Sequence, residues 1–572
     1  MTFVFNDPTE FADDALAGFV ALYSDRLTAV PGGVVAHRRR EPKVAVVIGG
    51  GSGHYPAFAG LVGPGLAAGA VVGNIFTSPS AAQVYSVAKA ADEGRGVVLS
   101  FGNYAGDVMN FGIAAERLRE EGIDVRIVLV TDDVASSADA EQRRGIAGDF
   151  AVFKVMGAAA ADGLSLDEVE LLGRTANDRT RSFGVAFSSS TMPGALEPLF
   201  AVPAGLMSIG LGIHGEPGVR DVGRLTADEL ARVLVDGVFG DLPASGPSRV
   251  AVVLNGLGAT KYEELFVLWN AVSLLLQTAG HVAIGVEVGE LVTSLDMGGC
   301  SLTVMWLDDG LERAWEADAY APAFRKVAAG MRDLQPIEVG AAAAVGGTSA
   351  PKSSDASRAL LPCLVAATAV VRDVLHINAA ELGEIDAIAG DGDHGRGMVK
   401  GVDAAADILN NTASGGIAWN LRQAGREWAA RAGGTSGVLW GAGLEAAADE
   451  IRDDRSHYGA DSIVEAVEAF QLAIQQLGGA QPGDKTLVDA LVPFAQVLRL
   501  GISRGDDLGV AWARAANIAT NAAVLTASLS PKKGRARPLA ERSIGSPDAG
   551  ATSFALIVNA VGRHLETLEV HA

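Results

Sequence analysis

The sequence predicts an α/β first half followed by an all-helical second half, and three features carry that expectation. Short β-branched runs recur from Val44 to about Asp308, a stretch without periodicity follows, and beyond it apolar residues fall at spacings of three and four. The chain has 572 residues and is 49% hydrophobic, which is too long for a single core, so more than one domain is expected.

In chain order, "VAVVIGG", "GAVVGNIF", "GVVLSFGN" and "VRIVLVTDD" are nearly continuous apolar runs, several of them ending in Gly, Asn or Asp. Ala-rich segments such as "SAAQVYSVAKAADEG" separate them. Strands apolar on both faces that alternate with helices predict a largely parallel sheet. A second cluster, "RVAVVLNGLG", "VAIGVEVGE" and "SLTVMWLDD", predicts a second α/β subdomain, with divisions at about 1–190 and 191–335. The segment "IEVGAAAAVGGTSAPKSSDAS" has the composition of a flexible connection, so 336–357 is expected to be a linker. From 358 to 572, segments such as "SIVEAVEAFQLAIQQLGG" and "TLVDALVPFAQVLRLGIS" predict a helical bundle or barrel.

Composition excludes several functions. The net charge is −23 and no stripe of Lys or Arg is present, which argues against nucleic acid as a partner. Cys300 and Cys363 form neither a disulfide framework nor a zinc spacing and suggest a reduced compartment. The N-terminus is acidic, and no uninterrupted apolar run reaches the roughly 18 residues of a membrane span. A cytoplasmic protein without a membrane partner is expected.

The stretch "DAIAGDGDHGRGM" crowds Asp386, Asp391 and Asp393 among glycines. On a continuing helix, residues five apart diverge by about 140°, but Gly390 and Gly392 allow the chain to fold back. Converging carboxylates need protons or cations, and hard oxygen ligands without Cys favour Mg²⁺ or Ca²⁺; the spacing fails the EF-hand loop, and Mg²⁺, which works with few carboxylates plus substrate phosphates, is the better fit. A solvated loop between two helices is the competing reading. Two further segments favour the metal. "RAGGTSGVLWGAG" sets Gly433, Gly434, Thr435, Ser436 and Gly437 before a helical run, either as an anion cradle or as an ordinary helix connection. "KKGRARPLAERSIGSPDAGATSF" gathers Lys532, Lys533, Arg535, Arg537 and Arg542 near Asp548 and Gly550. Metal-holding acids, a cradle and a basic flap together describe a nucleoside triphosphate site, and the absence of G-x-x-x-x-G-K-[ST] makes it a non-P-loop one.

In the first half, "VVIGGGSGHYPAFAG" follows a strand but fails as a dinucleotide fingerprint, because His54 occupies the third glycine position. His54 nevertheless sits where α/β sheets bind ligands, and Asp107 in "GNYAGDVMNF" ends another strand-loop unit; both could equally be capping residues. His214 lies in "MSIGLGIHGEPG", a pliable loop from which an imidazole can reach a ligand or simply bond backbone.

These motifs jointly resemble the dihydroxyacetone kinase family in its ATP-dependent, fused form. The likeness runs along nearly the whole chain through "GGGSGHYPAF", "GNIFTSPSA", "GNYAGDVMNF", "GIHGEPG", "LNGLGAT", "VGELVTSLDMGG", "DAIAGDGDHG", "GGTSG", "GDKTLVDAL" and "ERSIGSPDAGATSF". The resemblance implies a ketose-binding domain over 1–335 and an ATP/Mg²⁺-binding domain over 358–572. It implies that His214 attacks the ketone carbon of a short ketose to give a hemiaminal. It also implies that Gly51, Ser52, Gly53 and Asn103 contact the sugar and that Asp107, assisted by His54, takes the hydroxyl proton. Asp386, Asp391 and Asp393 would hold two Mg²⁺ ions. Gly433, Gly434, Thr435, Ser436 and Gly437 would contact phosphate, with the flap of Arg535, Asp548 and Gly550 over the nucleotide. A homodimer is a further implication.

Two positions depart from the family pattern. Gly102 replaces the usual Lys before "NY", and Phe153 replaces the His of "HK" before Lys154. Both remove polar groups, and Gly102 is expected to open space, so the four-carbon ketose erythrulose is the first candidate substrate and dihydroxyacetone the next. The alternatives are dihydroxyacetone kinase proper, a non-catalytic ketose sensor or adaptor, and a nicotinamide oxidoreductase resting on the defective glycine turn. A variant recharged by a phosphoprotein would use separate subunits, so fusion favours free ATP.

Overall fold

Six strands form the first sheet of the computed structural model, which describes residues 2–37, 41–241, 248–327, 350–411, 415–533 and 540–569. They are β1 (Leu27–Val30), β2 (Gly33–Ala36), β3 (Ala45–Ser52), β4 (Gly69–Ile75), β5 (Val97–Gly102) and β6 (Val125–Val130), in the order β1-β2-β4-β3-β5-β6. β4, β3, β5 and β6 are parallel, as the doubly buried runs require, and the antiparallel pair β1 and β2 extends one edge. The carboxyl ends of β3 and β5 therefore share one edge, from which the turn at Gly51 and the loop to Asp107 emerge.

The second sheet contains β7 (Thr180–Ala186), β8 (Leu206–Ile209), β9 (Arg220–Gly223), β10 (Arg249–Gly256), β11 (Val282–Gly289) and β12 (Gly299–Trp306), in the order β11-β10-β12-β7-β8-β9. It corrects two expectations. Only β10 and β11, joined through helix Tyr262–Thr278, are parallel; the other pairs are antiparallel. Apolar runs report burial on both faces and say nothing of direction. β7, which lies before residue 190, pairs with β12, so the second subdomain begins earlier than the expected division.

Helix Gly148–Ala161 contacts strands of both sheets, and all but its last residue is buried. It shares one core with Val46 and Ile48 of the first sheet and Ala251 and Val253 of the second. Residues 1–336 accordingly form one compact unit, and 337–572 a second.

In the second unit, helices Leu361–Ala387, His394–Asn411, Ile417–Ala432, Gly434–Ile451, Ala460–Gly478, Val488–Ser503, Leu508–Leu525 and Ala549–Glu569 each pack on the next. The last packs on the first, which closes an eight-helix barrel. Its core is mostly Ala, Leu, Val and Ile, and within it Trp428 is stacked on Trp440 at 5.3 Å with Phe470 and Phe554 against the latter.

One further expectation changes. Much of the 336–357 segment lies outside the described residues, but its end is built into the second unit. A helix begins at Asp355, Ser354 Oγ donates to Arg455 O at 2.6 Å, and Ser357 Oγ donates to Asp453 Oδ1 at 2.6 Å. Among the described residues, the segment Asp355–Ala387 is long and apolar enough to cross a membrane by length and composition, with a window of mean hydropathy 1.7. Isolated polar residues interrupt its apolar runs without lowering the average much.

Candidate active site

At the edge shared by β3 and β5, two histidines from different sheets meet. His54 follows β3 and His214 follows β8, and their Nε2 atoms are 3.0 Å apart with ring planes at 83°. His54 is buried, and its Nδ1 faces the carbonyl of Thr293 at 2.6 Å. Burial, reinforced by the charge of His214, pushes the His54 imidazole down to about 3. His214 is held by one carboxylate at two points: Glu216 Oε1 lies 3.2 Å from its Nδ1, and Glu216 Oε2 accepts its backbone N–H at 3.0 Å. Burial raises the Glu216 carboxyl, but the hydrogen bond and charge of His214 and the charge of Arg144 outweigh it and hold the group at about 2.

Rings enclose the pair. Phe76 lies 5.1 Å from the His54 ring and 5.2 Å from that of His214, and Tyr104 stands edge-on to His214 at 5.0 Å. Phe76 has φ 52°, an unfavourable conformation for a bulky residue and one that tertiary packing must hold.

The turn Gly51–Gly53 lies close against Phe76 and Thr77. A Cβ on Gly51 would stand 2.7 Å from Thr77 N, and one on Gly53, at φ +101°, would stand 2.7 Å from the Phe76 ring. Side chains are excluded at Gly51 and Gly53, and backbone is what these two positions can present to a ligand. Ser52 Oγ donates to Gly73 O at 2.5 Å. Asp107, in the first turn of helix Ala105–Glu120, is buried and accepts from Ser78 Oγ at 2.9 Å. Burial raises its carboxyl, partly offset by that hydrogen bond and by His214, which makes it a better base than an exposed aspartate.

Asn103 Nδ2 donates to the carbonyls of Glu141 and Arg143, so its amide nitrogen pins neighbouring backbone. Two other expectations for this pocket do not hold as stated. Gly102 does not open space, because a Cβ there would meet Gly145 O at 3.1 Å and the Tyr104 ring at 3.2 Å; neighbouring chain has closed over the position. Phe153 does not line the pocket either. It is fully buried beside Phe58, which in turn stands edge-on to His54, while Lys154 Nζ donates to Ala314 O at 2.7 Å.

In the second unit, helix Leu361–Ala387 ends at the acidic stretch and helix His394–Asn411 begins after it. Gly390 N donates back to Asp386 O at 2.6 Å, and Gly392 has φ +73°. The chain reverses, and carboxylate oxygens of Asp386, Asp391 and Asp393 all lie within 4.8 Å of one another. An oxygen-only donor set at the protein surface suits a hard divalent cation.

Asp386 and Asp391 border a cleft of about 320 Å³ that Thr435, Ser436, Asp548 and Gly550 also line. Helix Gly434–Ile451 starts beside it. Gly433 and Gly434 have φ +62° and +58° and open surroundings, and Thr435 and Ser436 follow in the first turn, where backbone N–H groups are unpaired within the helix. Gly437 is buried against Ala432 and makes no wall of the cleft. Arg535 and Arg537 lie outside the described residues. Asp548 Oδ1 accepts the Ala551 N–H at 2.7 Å, and burial pushes its carboxyl up to about 7.

Sequence reasoning singled out neither Lys485 nor His394 as a cleft residue. Lys485 occupies a left-handed position at φ 60° and donates to Ser543 O at 2.6 Å. His394 is buried and paired with Ser553 Oγ at 2.9 Å. Both lie inside quoted motifs, so their place in a motif was the available signal. Glu216 and Phe76 were likewise present in the motifs without a role.

Comparison with known proteins supplies the context. The Dak1 domain model matches residues 17–323, and the DAK2 domain model matches residues 388–563. The chain is 53% identical to D-erythrulose kinase of Mycolicibacterium smegmatis over 98% of both chains. It is 51% identical to L-erythrulose kinase of Pectobacterium atrosepticum over 99% of this chain and 97% of that one. The crystal structure of the dihydroxyacetone kinase from C. freundii in complex with AMP-PNP and Mg²⁺ is similar at 28% identity and a TM-score of 0.60, covering 98% of this chain and 99% of that one.

Proposed function

The chain belongs to the dihydroxyacetone kinase family and is an ATP-dependent ketose kinase, and from that premise we propose that its substrate is erythrulose, held covalently by His214 during transfer. The observation that carries this reading is the pairing of His214 Nε2 with His54 at a glycine-walled edge, while Glu216 fixes the opposite nitrogen. A tetrose offers little surface for recognition, and a reversible bond to its carbonyl selects ketoses over polyols. The names of the relatives favour erythrulose over dihydroxyacetone. Neither Gly102 nor Phe153 adds support, since one is closed over and the other is core.

In this reading Nε2 of His214 bonds the ketone carbon and fixes the sugar's orientation. Gly51, Ser52 and Gly53 present backbone groups to sugar oxygens. Asp107, its basicity raised by burial, accepts the proton of the terminal hydroxyl as that oxygen attacks the γ-phosphorus of ATP. Asp386, Asp391 and Asp393 would hold magnesium, two ions in our reading; bound there, the metal neutralises phosphate charge. Thr435 and Ser436, with the N–H groups of the helix start, would receive phosphate oxygens, and Asp548 and Gly550 would border the nucleotide. A homodimer rests on the family resemblance, and a cytoplasmic location is supported by two free cysteines.

A coupled ADP-release assay over dihydroxyacetone, glyceraldehyde and both erythruloses, with and without a magnesium chelator, tests this. We expect metal-dependent turnover with kcat/KM highest for an erythrulose. A strong preference for dihydroxyacetone would end the tetrose assignment.

A further inference from the structure

The carboxylate beside His214 belongs to a chain of charges that extends away from the sugar site. Arg144 reaches Glu216 Oε2 at 3.5 Å and is itself held by Asp133, whose Oδ2 accepts from Arg144 Nε at 3.0 Å and Nη2 at 2.8 Å. Asp133 and Arg144 are largely removed from solvent, with side-chain exposures of 3% and 14%. Glu216 and Arg144 cross over Gly212, where any Cβ would overlap both Glu216 Oε2 and Arg144 Nη1. The glycine two positions before the histidine thus makes the crossing possible.

The acceptors around the two rings fix the protons. The Thr293 carbonyl can only accept, so Nδ1 of His54 carries hydrogen and its Nε2 is a lone pair. A 3.0 Å contact between two ring nitrogens needs one hydrogen, which therefore sits on His214 Nε2. The Glu216 carboxylate also only accepts, so His214 Nδ1 carries hydrogen as well. Both ring nitrogens of His214 thus face acceptors and act as donors in the free enzyme. The charged or titratable groups that face it are Glu216 on its own loop, His54 after β3, and Tyr104 and Asp107 around the start of helix Ala105–Glu120, with Arg144 behind Glu216.

We propose that Glu216, clamped by Arg144 and through it by Asp133, is a positioning residue that fixes the His214 ring and holds hydrogen on its Nδ1 both before and after the ketose is bound. The inference rests on the hemiaminal reading above. Capture breaks the Nε2–H bond and the π bond of the ketone and forms the Nε2–C2 and O–H bonds. The proton passes from His214 to His54 Nε2, the freed lone pair attacks C2, and the carbonyl oxygen takes the proton from His54. Nδ1 of the ring carries hydrogen at the start and at the end. A fixed carboxylate therefore stabilises both states without rearrangement, which is what a preorganised site requires. Without that carboxylate the ring loses the acceptor that holds hydrogen on Nδ1.

The test uses 2-¹³C-labelled dihydroxyacetone and the full-length enzyme. The fraction of label in the tetrahedral carbon is measured between about pH 6 and about pH 9, together with KM and kcat. In wild type the adduct fraction is expected to stay level across this range. Glu216→Gln preserves shape and removes charge; its adduct is expected to fall about tenfold at neutral pH and to recover on acidification, with KM rising more than kcat falls. Arg144→Lys, which keeps a cation behind Glu216, should show a smaller loss of the same kind, and it carries the test if Glu216→Gln does not fold. A Glu216→Gln or Arg144→Lys enzyme with the wild-type adduct level and pH profile would overturn the proposal while leaving capture by His214 intact. A wild-type enzyme without adduct, or an adduct that survives His214→Ala, would overturn the hemiaminal reading itself.

Discussion

His54 and His214 stand with their Nε2 atoms 3.0 Å apart, although the two residues leave different sheets and are 160 positions apart in sequence. One of the two must stay neutral, and burial selects His54. Its folded value near 3 lies below the unfolded 6.5, so between these limits the unfolded chain binds the extra proton. Stability therefore falls as pH drops from 6.5 toward 3. Glu216, held near 2 against an ordinary 4.5, adds a further loss below that ordinary value. Replacing His54 by Gln is expected to flatten the dependence by up to about 1.4 kcal/mol per pH unit in the upper window, as read by urea unfolding. A variant as steep as wild type would contradict the assignment.

The two units should fail in different ways. His214→Ala is expected to weaken sugar capture and raise KM at least about tenfold. Asp391→Ala is expected to lower kcat by about 10²-fold or more while the sugar still binds. Ketose binding by calorimetry, set beside steady-state kinetics, separates the two. Intact ATP-driven turnover in Asp391→Ala would refute the metal assignment.

Gly53 offers a backbone test. At φ +101°, with the Phe76 ring 2.7 Å from its ideal Cβ, Gly53→Ala is expected to cost at least about 1 kcal/mol of stability and to displace Phe76 from the histidine pair. Thermal unfolding and KM report the two effects. An unchanged Tm with unchanged KM would show that the turn is not constrained as described.

Gly102 tests specificity. Because Gly145 and Tyr104 already crowd it, Gly102→Lys is expected to lower kcat/KM for both dihydroxyacetone and erythrulose rather than convert preference from one to the other. A clean switch toward dihydroxyacetone would mean that Gly102 does govern sugar size.

The sequence was most legible where one local rule sufficed. Period-three-and-four spacing gave the helices of the second unit, and Gly390 and Gly392 marked where the chain could fold back, as it does, to bring Asp386, Asp391 and Asp393 together. Strand direction in the second sheet was hidden, because burial on both faces looks the same for parallel and antiparallel pairs. Long-range polar pairing was hidden too. Nothing local links Asp133 and Arg144 to Glu216, and Asn103 turns toward backbone about forty residues on. Gly102 and Phe153 misled for one shared reason: a substitution away from a family pattern shows that polarity is lost, but only the packed neighbours show whether space is gained.

The most direct test of the central claim is the ¹³C spectrum of 2-¹³C-labelled erythrulose bound to wild type and to His214→Ala. The account expects the ketone signal to give way to a tetrahedral carbon in wild type and to persist in the variant. A bound ketone signal in wild type, under conditions where ATP is turned over at full rate, would contradict it.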